Sequence, residues 1–89
     1  EQNYPNPFNP STTIEYSIIN NSLKASLFIY DCKGNLVRKI LENKFHKLGD
    51  YSVKWNGNNE NRQGVAGGIY FLKLFTDEEV IVKQAILVK

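Results

Sequence analysis

Apolar and polar residues alternate with a period of two along most of this chain, and no stretch keeps the period of a helix. Over residues 13–18, Ile14, Tyr16 and Ile18 fall on one side and Thr13, Glu15 and Ser17 on the other, the pattern of a half-buried strand. Asn20, Asn21 and Ser22 then interrupt it as a turn. Residues 25–30 give a second strand, with Leu27 and Ile29 on one face and Phe28 and Tyr30 on the other. Residues 31–35 form a tight connection in which Gly34 takes a positive φ at no steric cost, as a type I turn followed by a bulge requires. Residues 36–41 return as a third strand, so strands two and three are expected to form a hairpin.

Residues 42–48 are short of apolar positions and read as a connection that Phe45 and Leu48 anchor. Tyr51, Val53 and Trp55 then share one face, with Ser52 and Lys54 on the other. Trp55, the only tryptophan, is expected to be a large part of the core. Asn56-Gly57 opens a polar loop that runs to Gly68. Residues 69–76 are a further strand, and Asp77, Glu78 and Glu79 turn the chain. Residues 80–89 are apolar on both faces apart from Lys83 and Gln84, which predicts a last strand buried on both sides. Six or seven short strands separated by turns predict an antiparallel β-sandwich. Tyr70, at the start of its strand, is expected at a corner with its hydroxyl bonded to backbone.

Composition narrows the function classes. At 89 residues the chain is read as one domain with a modest core: a lead-in over residues 1–12 and a sandwich over residues 13–89. A hydrophobic content of 42% argues against disorder. A net charge of +2, with no run of Lys or Arg longer than two, lacks the basic stripe of a nucleic-acid binder. No apolar stretch approaches the length of a bilayer crossing, so no membrane insertion is expected. Glu1 opens a polar segment without the features of a secretory leader. The chain is therefore expected to be either cytosolic or a fragment of a longer chain, and its domain-like start favours a fragment. One cysteine, Cys32, excludes an internal disulfide and a multi-cysteine zinc site, and reads as a surface residue.

Catalytic chemistry finds little to work with. A Ser52–His46–Asp50 triad is the only arrangement to weigh, and a sandwich this small leaves little volume for its pocket; His46 is better read as solvated or locally bonded. Glu78 and Glu79 are adjacent, so in extended chain they point apart and serve a charged hairpin tip. Asn56, Asn58, Glu60 and Asn61 offer closely spaced oxygens to calcium, but with a single carboxylate where calcium usually takes two or more. The plainer account is a loop whose Asn side chains bond its own backbone. No catalytic residue, cofactor or metal is assigned.

All three prolines lie in the first ten residues, within Tyr4-Pro5-Asn6-Pro7-Phe8-Asn9-Pro10-Ser11-Thr12-Thr13-Ile14. Each fixes its own φ and keeps its predecessor out of the α region, so the run is stiff and cannot begin a helix. Three further blocks follow in order: Ile29-Tyr30-Asp31 with Gly34-Asn35-Leu36-Val37; Trp55-Asn56-Gly57 with Gly64-Val65-Ala66-Gly67-Gly68-Ile69-Tyr70-Phe71; and Val82-Lys83-Gln84-Ala85-Ile86-Leu87-Val88-Lys89. Together the four blocks resemble the C-terminal sorting domain of type IX secretion cargo (the Por secretion tail, type A), related to the Ig-like domain of the flagellar hook-capping protein. They span nearly the whole chain. Asn56 stands where the family often has Asp, and Gly67 where it usually has Ser or Pro; the former weakens the calcium reading further.

The resemblance implies an Ig-like, fibronectin-III-like antiparallel β-sandwich of about seven strands. It implies a non-catalytic address on secreted or surface proteins of Bacteroidetes-type bacteria, folded in the periplasm and read by the type IX translocon. A sortase-like peptidase would remove it upstream of the proline run, and the N-terminal cargo would be released or held at the surface. Recognition is expected at Pro5, Asn6 and Pro7, a preformed extended segment, and at Lys83, Leu87, Val88 and Lys89 on the last strand. Phe8 is read as a plug for the end of the sandwich. The native chain is expected to end at Lys89 and to carry a hydrolase or adhesin before Glu1. The competing readings are an Ig-like spacer or carbohydrate-binding module, for which Phe28, Tyr30, Phe71 and Phe75 would supply outward rings, and a hook-capping-like assembly domain.

Overall fold

The computed structural model describes residues 11–19 and 23–88, Leu23 by its backbone. Six strands occur among the described residues: β1 (Thr12–Ile18), β2 (Leu23–Asp31), β3 (Leu36–His46), β4 (Gly49–Trp55), β5 (Gly68–Thr76) and β6 (Val80–Leu87). There is no helix among them, as the missing 3.6-residue period requires. The expected count of about seven is therefore six here. The Asn20–Ser22 turn lies outside the described residues.

The strands form two antiparallel sheets, β1-β4 and β3-β2-β5-β6. Alternation decides which side of each is buried. Ile14, Tyr16 and Ile18 of β1, Leu27 and Ile29 of β2, Trp55 of β4, Tyr70, Leu72 and Leu74 of β5 and Leu87 of β6 make one hydrophobic cluster. Both sheets contribute to it, so each covers the apolar face of the other. Trp55 is 1% exposed and donates its indole N–H to the Asn58 carbonyl at 2.9 Å, which satisfies its polar atom inside the core.

The β2–β3 hairpin forms as expected. Gly34 has φ 90°, and its N–H bonds the Asp31 carbonyl at 3.0 Å. Asp31 Oδ1 also accepts the N–H groups of Lys33 and Asn35, which fastens the turn to a side chain. The Tyr70 hydroxyl bonds the Ala66 carbonyl four residues upstream, the corner expected from sequence.

Two expectations need correction. Residues 42–46 are not a connection: β3 continues to His46. It does so through a bulge, where Asn43 takes φ 51° and gives its N–H to Ser26 Oγ at 2.9 Å. The last strand is not buried on both sides either. Val82 and Ile86 are 54% and 59% exposed, because β6 is the edge of its sheet and only its inner face meets the core.

Candidate functional site

β6 pairs with β5 alone, so its other side has no ladder partner among the described residues. Ala85 and Leu87 turn inward and are buried, while Val80, Val82, Gln84 and Ile86 turn outward. Their neighbours on β5 prolong the outward surface: Lys73 stands opposite Val82, Phe71 opposite Gln84 and Ile69 opposite Ile86. The outer face of β5 and β6 is thus largely apolar and in part exposed, which monomeric surfaces rarely allow without a use.

The residues expected to be recognised reach this strand in different ways. Lys83 extends to β1 and donates from Nζ to the Glu15 carbonyl at 3.1 Å. Leu87 is 2% exposed, so its side chain belongs to the core and only its backbone is offered outward. Val88 stands 76% exposed just past the strand. Pro5, Asn6, Pro7, Phe8 and Lys89 lie outside the described residues. Alternation identifies Val82 and Ile86 as outward on an apolar strand, and that signal was available in the sequence. The Lys83–Glu15 bond was not, since it joins residues 68 positions apart.

The opposite edge of the same sheet is covered at Val37 and Lys39 by the loop after Trp55. Glu60 gives its backbone N–H to the Val37 carbonyl at 3.1 Å and accepts the Lys39 N–H on its carboxylate. Arg38 reinforces this from β3: Nη1 donates to Asn58 Oδ1 at 2.6 Å, and Nε lies 3.9 Å from Glu60 Oε2. Of the four oxygen-bearing residues weighed for calcium, Asn58 and Glu60 therefore face a guanidinium of the chain itself. Asn61 gives its N–H to Asn59 Oδ1, an Asx turn, and Asn56 is exposed. No group of three or more His, Cys, Asp or Glu able to hold a metal occurs among the described residues.

The Ser52–His46–Asp50 triad is not assembled. His46 is buried and bonds elsewhere: Nδ1 lies 2.8 Å from the Lys44 carbonyl and Nε2 2.8 Å from the Tyr16 hydroxyl. A carbonyl only accepts, so Nδ1 donates to Lys44, and in the tautomer with its single proton there Nε2 accepts the Tyr16 O–H. Tyr16 and Tyr51 stack at 5.5 Å, and Tyr51 meets the His46 ring edge-on at 4.6 Å. Asp50 accepts from Ser17 Oγ at 2.7 Å instead. Burial first, and then Tyr51, raises the Tyr16 pKa above its ordinary value. Burial likewise raises that of Tyr70, helped by the charge of Asp31 and then by Cys32.

The four rings considered for sugar binding do share the outer sheet face, but they make no flat platform. Phe28 and Phe75 are inclined at 57°, and the ammonium groups of Lys39 and Lys73 lie over Phe28 and Tyr30 at 5.7 and 4.6 Å from the centroids. Cys32 is exposed in the β2–β3 turn.

Comparison with known families matches residues 2–89 to the model of the secretion system C-terminal sorting domain. No curated protein and no solved structure matches the chain.

Proposed function

Because the chain belongs to the family of secretion system C-terminal sorting domains, non-catalytic tails of type IX export, we propose that it carries an N-terminal cargo through the type IX translocon to the cell surface or the medium. The family match across residues 2–89 carries this reading. The domain acts as a substrate and an address, and a sortase-like peptidase cuts it from the cargo upstream of the proline run. The proline run at Pro5, Asn6 and Pro7, the last strand with Lys83 and Leu87, and Val88 and Lys89 after it are the positions the machinery reads. Leu87 contributes through the backbone and the core that hold the strand in place.

The scaffold we assign is an Ig-like sandwich. Two antiparallel sheets with a shared core, a buried tryptophan and a tyrosine bonded back to the chain four residues upstream support it.

Export tests the reading. Residues 1–89 are placed behind a leader peptide and a fluorescent reporter in a host with a working type IX system, beside a version lacking residues 80–89. The intact fusion is expected in the medium or on the surface, and the shortened one in the periplasm. Periplasmic retention of a folded, intact fusion would sink the address function.

A further inference from the structure

The outer face of the larger sheet is apolar and basic together. Across its four strands one row reads Lys39, Phe28, Lys73 and Val82. Tyr30 and Phe71 stand side by side in the next row of that face. Phe75 with Val80 lies beyond the first row, and Ile69 with Ile86 beyond the second. Ile69, Val80, Val82 and Ile86 are all exposed. Both lysines lie over rings: Lys73 Nζ is 4.6 Å from the Tyr30 centroid and Lys39 Nζ 5.7 Å from that of Phe28. A cation over an aromatic face is held there by the ring quadrupole and keeps its charge. The described residues hold two ion pairs, Arg38 with Glu60 and Lys39 with Glu42, and Lys73 is in neither.

We propose that this face docks a protein of the export machinery whose own contact patch is apolar and acidic, with a carboxylate set over Lys73. The proposal rests on the sorting reading and specifies the chemistry of the partner. An exposed apolar area of this breadth marks a contact surface, and the charge chooses its occupant. These rows offer lysines and no carboxylate beyond Glu42, which is already paired. An acidic partner is therefore attracted and a basic one repelled. A second copy of the face would bring the same lysines and no acid to meet them. An anionic bilayer, being broad and flat, would also press on the Asp77-Glu78-Glu79 turn beside Val80, which repels it. A sugar needs a ring laid open, whereas ammonium groups cover Phe28 and Tyr30 here, and Phe28 and Phe75 are inclined at 57°. Lys73 is half-buried with its charge already positioned over a ring, so a carboxylate that pairs with it costs little further ordering of the side chain.

Binding of the full chain to purified type IX translocon, followed by biolayer interferometry over a salt series, tests this. Affinity is expected to fall at least about tenfold between about 0.05 and 0.5 M NaCl. Lys73→Glu reverses the charge beneath the partner and should weaken binding at least about tenfold at low salt, with export of the reporter fusion cut several-fold. Val82→Glu and Val82→Lys repeat the test at an exposed position opposite Lys73, where little of the fold is at stake. The acid should weaken binding and the base should not, and urea unfolding checks that each variant is folded. Binding that is indifferent to salt and equal for the two Val82 variants, beside normal export of the unaltered fusion, would overturn the acidic partner and leave the address intact. No export of the unaltered fusion would overturn the address and the proposal with it. Self-association that replaces translocon binding and is lost in Lys73→Glu would identify a second copy as the occupant. Binding to phosphatidylglycerol vesicles in its place, lost in the same variant, would identify a lipid surface. Either of the last two results overturns a protein partner.

Discussion

His46 shows how one residue can look functional and be structural. It is the only histidine, it lies among two tyrosines, and both ring nitrogens are committed. Tyr16→Phe removes the donor to Nε2 while keeping the ring stack, and is expected to cost about 1–2 kcal/mol in urea unfolding. Unchanged stability would mean that the hydroxyl contributes nothing. The raised pKa values of Tyr16 and Tyr70 fix a second outcome. The folded domain holds these protons more tightly than the unfolded chain does. Their stabilisation is thus complete below the ordinary tyrosine value of about 10 and is lost as pH climbs through the folded values. The urea midpoint should fall above about pH 10, and less steeply when both residues are Phe. Asp31 has the opposite sign. Its carboxyl is lowered chiefly by the Asn35 N–H, so its share is present above the normal aspartate range and lost as the solution turns acid.

Among the elements, the edges of the larger sheet carry the contrast. Glu60→Ala removes the carboxylate that accepts the Lys39 N–H. We expect the Lys39 amide to exchange faster while stability falls by less than about 1 kcal/mol, since the ion pair with Arg38 is half exposed. An unaltered Lys39 amide would show that the loop does not close this edge. Trp55→Ala should instead cost about 3–5 kcal/mol, because the ring lies at the centre of the core against Tyr70. β1, β2, β4 and β5 were legible because their alternation runs unbroken. β3 was not: the Asn43 bulge shifts the parity, so polar His46 turns inward and apolar Phe45 is left 63% exposed, the reverse of what hydropathy implies. β6 was misread for another reason. A strand covered on both faces and an edge strand whose outer face is left open have the same apolar sequence, and only the position in the sheet tells them apart. The Lys83 site was half legible. The charge is visible in the sequence, but its partner is a backbone carbonyl, which no side-chain pattern encodes.

For the molecule as a whole, the proposed reading has folding and sorting separate by face. Val82→Ser with Ile86→Ser alters two outward residues of β6 and should shift stability by no more than about 0.5 kcal/mol each. The same pair is expected to lower export of the reporter fusion, which extracellular fluorescence measures; full export would remove the outer face of β6 from the recognition surface. Order along the chain adds something the finished fold conceals. β5 is the inner neighbour of β2 and comes fifth of the six described strands, with β6 after it. Until both have left the ribosome, the larger sheet is a bare hairpin and β6 does not exist to be read. A polypeptide that stalls before β6 therefore lacks the edge strand on which the proposed address depends. On the proposed reading, the address is legible only once synthesis has passed β6, so sorting would report on how far translation went.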